Sequence, residues 1–176
     1  MTSSEPVYSQ TALDMFTVAN EYCIFMEKAC KYQKTDVYNY LLKVFPLLYI
    51  KGALMPQIEV EFPEANERYV TEEQWQIVFN ELRELFGEDD LFNHCDPKDE
   101  FFEPVKLSLA ENLADIYQDM KDFVLLYSKE MHAARENAIH EVGRLFKSHW
   151  GHRVLRCQTH LHFLLHRRDI ESEEVY

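Results

Sequence analysis

The chain offers few places at which a helix must stop. Its 176 residues hold four glycines (Gly52, Gly87, Gly143, Gly151) and six prolines, and no proline follows Pro104. Glycine and proline are the strongest local punctuators of structure, so a sequence poor in both is free to run in long helices. The hydrophobic spacing points the same way. From Ser9 to Tyr32, Ala12, Met15, Phe16, Ala19, Tyr22, Cys23, Met26, Ala29 and Cys30 recur at intervals of three and four, the period of one helical face. From Asp36 to Leu54 the chain is apolar on nearly all sides, which predicts a helix enclosed by its neighbours, kinked or broken at Pro46.

Two later segments begin with the residues that start helices. Thr71 with Gln74 and Ser108 with Glu111 have capping-box spacing, in which each partner's side chain satisfies a backbone N–H of the first turn. The first predicted helix carries Trp75, Val78, Phe79, Leu82, Leu85 and Phe86 on one face and stops at Gly87. The second carries Leu109, Leu113, Ile116, Met120, Phe123, Val124 and Tyr127, with Glu111, Asp115, Asp119 and Asp122 as an acidic stripe opposite. Helix is expected again from Met131 to Phe146 and from His152 to Arg168, with a pause near "SHWG". Met55 to Val70 reads as a connection that could be briefly extended, and Glu88 to Glu103 as a long acidic loop, of the kind that more often carries function. These elements predict an all-α fold: one helical-bundle domain over residues 1–176, of five or six helices around the apolar helix at Val37 to Leu54.

With 47% hydrophobic residues and 24 aromatics, the chain can bury a core without disulfides or metals. Cys23, Cys30, Cys95 and Cys157 form no CxxC pair, the start lacks a secretory signal, and no apolar run reaches the roughly 18 residues of a membrane span. A cytoplasmic protein without membrane partners is expected. A net charge of -13 disfavours nucleic acid as a partner of the whole surface. The charge is uneven, though: residues 135–168 carry +5 and the remainder -18.

The basic charge gathers in "KSHWGHRVLRCQTHLHFLLHRR", Lys147 to Arg168, with five histidines and four arginines. On a helix, His149, Arg153, Arg156, His160 and Arg167 form one stripe, with His152 beside it and Trp150, Val154, Cys157, Leu161, Leu164 and Leu165 on a separate apolar side. His149 and His160 would stand about 16 Å apart along the axis, too far to share a metal. His162 and His166 lack the glutamate of HExxH and would need a third ligand from His94, Cys95 or Asp96, so no metal and no cofactor is expected. The remaining readings are a clamp onto the acidic stripe of Glu111 to Asp122, a solvated face, or a site for an anionic ligand built from His149, His152, Arg153, Arg156 and His160. No Gly-rich phosphate loop occurs.

Two enzymatic patterns are weaker. "RENAIH" (Arg135 to His140) and "RLFKSH" (Arg144 to His149) share an Arg-x4-His spacing that resembles the signature of HEPN-type ribonucleases; His140 would act as general base and Arg135 would stabilise phosphate charge. Glu81 and Glu84 form ExxE without the ExxD partner of helical pyrophosphohydrolases.

Finally, "YLLKVFPLLYIKGALMP" (Tyr40 to Pro56) and "HWGHRVLRCQTHLHFLL" (His149 to Leu165) together resemble the bacterial family catalogued as domain of unknown function 5063, found largely in Bacteroides and relatives. That resemblance implies an all-helical fold and no known activity. The expected function is a non-enzymatic binding or interaction module for a protein or anionic partner, with the cationic stripe and Glu88 to Glu103 as sites; the alternative is the metal-independent HEPN-like ribonuclease.

Overall fold

The computed structural model describes residues 5–173 except Asp99 and Phe102, with side chains through Arg167. Ser9 starts α1 (Gln10–Met26) by accepting from the Ala12 N–H. The next helix, α2 (Lys34–Ala53), leads through an irregular connection to α3 (Glu72–Phe86). There Thr71 and Gln74 form the reciprocal capping box, and Gly87 closes the helix at a positive φ of 56° that suits glycine. After the 3₁₀ turn Gly87–Asp90 come two strands, β1 (Leu91–Cys95) and β2 (Pro104–Ser108), then α4 (Leu109–Tyr127) and α5 (His132–Leu145). A π-helical turn, Phe146–Trp150, joins α5 to α6 (Gly151–Glu173).

α4 is the most enclosed helix, packed by α1, α3 and α5 and touched by α6. α2, which the sequence places at the centre, instead packs on α1 and α6 and leaves Leu47 and Ile50 exposed, as is Leu54 just past its end. It also runs unbroken through Pro46. Proline has no N–H to give the carbonyl four residues back, here that of Leu42. The Gln158 side chain of α6 donates to that oxygen at 3.2 Å, so a neighbouring helix supplies the donor that α2 lacks.

Just before α6, the π turn locks against α2 at Gly52 and Trp150. Trp150 is fully buried, its indole N–H bonded to the Val142 carbonyl. Its ring lies so close to Gly52 that a Cβ there would come within 2.2 Å of it. Gly151 permits the π turn, because its N–H meets the Phe146 carbonyl where a Cβ would fall 2.3 Å from the same oxygen. The expected pause at "SHWG" is thus a tightened passage within a continuous helical run.

The acidic segment differs from its sequence reading. Leu91 to Cys95 pairs antiparallel with Pro104 to Ser108, Leu91 opposite Ser108 and Cys95 opposite Pro104. A hairpin therefore stands where a loop is expected. Its cause is tertiary: Asp90, buried at its base, accepts from the Ser108 hydroxyl and from the Ala110 N–H at 2.7 Å, placing a carboxylate at the N-terminus of α4. Lys34 and Tyr38 of α2 both donate to Asp89, and His160 of α6 bonds the Asp89 carbonyl. Three helices moor the hairpin along α6.

Candidate functional site

The acidic stripe of α4 is a buried seam. Asp115 accepts from the Trp75 indole at 3.0 Å and from Arg153 Nε at 2.9 Å. Asp119, its side chain 2% exposed, meets His149 Nδ1 at 2.5 Å. Asp122 accepts from the Tyr69 and Val70 N–H groups through Oδ1, while its buried Oδ2 has no partner among the described residues. Burial pushes the Asp122 carboxyl up, against the two backbone bonds and Arg68 that favour its ionised form, and Asp119 raises it further.

A raised folded-state pKa makes the ionised form the costly one. The stability contributed by Asp122 is therefore greatest below its ordinary range and is lost as pH rises through the folded value. Relative to Asp122→Asn, the wild-type chain should gain melting temperature as pH falls from about 7 to about 4. Thermal melts of both proteins across that range should show the wild-type melting temperature rising relative to that of the variant toward the acid end.

The five stripe residues divide between two jobs. Arg153 is committed internally: beyond Asp115, its Nη1 donates to the His149 carbonyl. His149 is held by Asp119 and closes the same seam. His152, Arg156 and His160 instead line a groove of about 900 Å³ between α6 and β1. Its opposite wall is Leu91, Phe92, Asn93 and His94, with Asp96 and Lys98 from the hairpin turn; Lys147, Leu155, Thr159 and Phe163 complete it. The two stretches singled out from sequence, the basic stripe and the acidic segment, thus face each other.

Arg156 is the strongest group in this wall. Its Nε donates to Asn112 Oδ1 at 2.8 Å and Nη2 bonds the same oxygen, while Asn112 is itself buried and tied to the Ser108 carbonyl. An amide oxygen orients the guanidinium without neutralising it. Among the described residues, Arg156, Lys98 and Lys147 form no ion pair. His160 gives its Nε2 hydrogen to the Asp89 carbonyl, which can only accept, and its ring stacks on Phe92 at 4.5 Å between centroids. His152 accepts from Arg153 Nη1 at Nε2; burial first, then the charges of Arg156 and Arg153, lower its pKa.

The other candidates separate. Arg135 donates to the Tyr127 and Lys129 carbonyls at the end of α4 and lies over the Tyr8 and Tyr127 rings, whereas His140 bonds the Ile58 carbonyl on the other side of α5. Arg144 pairs with Glu141 while His149 pairs with Asp119. Neither Arg-x4-His pair is brought together by a shared contact. His162 and His166 neighbour each other on α6, their rings tilted by 45° with centroids 4.7 Å apart, and among the described residues no cluster of three His, Cys, Asp or Glu side chains could hold a metal. Asn112 and Asp90, which shape the groove, have no local signature in the sequence; only the fold brings them to Arg156 and Ser108.

Residues 6–167 match the family described as Domain of unknown function (DUF5063). The chain belongs to that family. It is similar to the crystal structure of protein BF1032 from Bacteroides fragilis, with 28% identity over 91% of this chain and 95% of that one and a TM-score of 0.81. No curated protein matches. The two stretches carrying the resemblance to this DUF5063 family, on α2 and on the π turn with α6, are those that lock at Gly52–Trp150 and Leu42–Gln158. No helix among the described residues is long and apolar enough to cross a membrane.

Proposed function

We propose that this DUF5063 protein is a non-enzymatic binding module that receives an anionic partner in the groove between β1 and α6. The observation that carries this reading is Arg156: a guanidinium fixed by an uncharged amide in the wall of a groove, with Lys147, Lys98 and His152 around it. A fixed fork of this kind recognises carboxylate or phosphate in bidentate fashion at little entropic cost. The acidic remainder of the surface repels polyanions and confines them to this face. The free cysteines fit a reducing cytoplasm; burial pushes the Cys157 thiol up to about 12, which makes it inert filler.

Inorganic pyrophosphate is a simple probe. Titrated at low salt into the isotopically labelled chain, it should shift amide resonances of residues 91–98 and 152–163, and Arg156→Ala should weaken binding about tenfold, the loss of a charge-assisted pair. Burial and the neighbouring arginines hold the His152 pKa below its ordinary value, so binding should tighten only as pH falls below about 6.5 and His152 takes up a proton, and this dependence should weaken in His152→Ala. Shifts scattered over the surface, or unchanged by Arg156→Ala, would overturn the assignment.

A further inference from the structure

Resting on the anionic-groove reading, we infer that the partner is an acidic segment of another protein, bound in extended form as a third strand along the free edge of β1.

The groove meets β1 side-on. Side chains of a strand alternate between faces, so a cavity lying against one face would be lined by every second residue. This one is lined by Leu91, Phe92, Asn93 and His94 in succession and by no residue of β2. Among the described residues the sheet has two strands, and β1 pairs with β2 alone. In an antiparallel pair every second residue directs its N–H and C=O away from its partner, and among the described residues nothing further bonds the β1 backbone. An edge left with unpaired donors and acceptors is a template for an added strand.

Dimensions and charge define the occupant. Five residues of β1 extend about 17 Å. The α6 wall from His152 to Phe163 rises about 16 Å. One extended segment of about five residues matches both walls in length. Its backbone would bond β1, and its side chains on one face would reach Arg156, Lys147 and Lys98. On the other face the exposed Leu91, Leu155 and Phe163 offer apolar contact. An alternation of acidic and β-branched residues matches both walls, whereas a compact small anion would use Arg156 and leave the strand edge empty.

The test uses the full chain and a fluorescein-labelled, end-blocked peptide, Glu-Val-Glu-Val-Glu-Val-Glu, followed by anisotropy. Three comparators separate the possibilities: the same peptide N-methylated at every internal residue, pyrophosphate, and an oligouridylate of similar length. The peptide should bind, and both N-methylation and Arg156→Glu should weaken it about tenfold or more, because one removes strand bonds and the other the charge anchor. If N-methylation costs less than that while Arg156→Glu still does, strand pairing is wrong and the groove reading stands. If neither peptide nor pyrophosphate binds, both fail. Tighter Arg156-dependent binding of the oligouridylate would overturn the choice of a protein partner.

Discussion

Trp150→Ala is expected to lower stability by about 3–5 kcal/mol, the usual cost of deleting a large buried aromatic. At about 2–4 °C per kcal/mol for a chain of this size, the melting temperature should fall by roughly 10 °C. Two losses combine: the ring fills the space that Gly52 leaves open, and its N–H satisfies the Val142 carbonyl. Gly52→Ala alone should also destabilise, because its Cβ would drive into the ring; overpacking of this kind costs about 1–3 kcal/mol. The decisive feature is the coupling. Once Trp150 is reduced to alanine the clash disappears, and Gly52→Ala should become neutral or stabilising through helix propensity, worth up to about 1 kcal/mol. A double-mutant cycle by denaturant unfolding that gave simple additivity would contradict the packing described.

Arg153→Glu carries the second large effect. Arg153 and Asp115 are 17% and 19% exposed, so their pair is shielded from water without being fully desolvated. Reversal sets a carboxylate against Asp115, beside the seam that also holds Asp119. Breaking a fully buried pair costs about 3–5 kcal/mol, and partial exposure brings the expected loss to about 2–4 kcal/mol. Melting temperature should drop by several degrees, with partial recovery in high salt as the repulsion is screened. An unchanged melting temperature would show that the seam contributes little.

The features visible in sequence were those encoded within a few residues. Thr71 with Gln74, Ser108 ahead of α4, and the three-and-four spacing along α1, α3 and α4 each settle a local backbone choice, so their helices are readable one at a time. The membership of the family is likewise carried by two contiguous stretches. The hairpin was not readable, because its strands have five residues each, lack clean alternation, and depend on Asp90 reaching Ser108 and Ala110. Pro46 predicts a break when seen alone; Gln158, far along the chain, supplies the missing donor. The basic stripe was legible as a stripe, yet nothing in its spacing separates Arg153 from Arg156. That difference lies in what α4 presents to each, a carboxylate from Asp115 to one and an amide from Asn112 to the other.

The same difference supports the most direct test of the functional account: the affinity for pyrophosphate measured side by side in Arg153→Ala and Arg156→Ala, both held well below their melting temperatures. Arg156→Ala should weaken binding about tenfold, whereas Arg153→Ala should lose stability and keep affinity within about threefold, the distinction expected between a recognition fork and an internal pair. Equal losses in the two variants, or a larger one in Arg153→Ala, would contradict the assignment of the groove to Arg156.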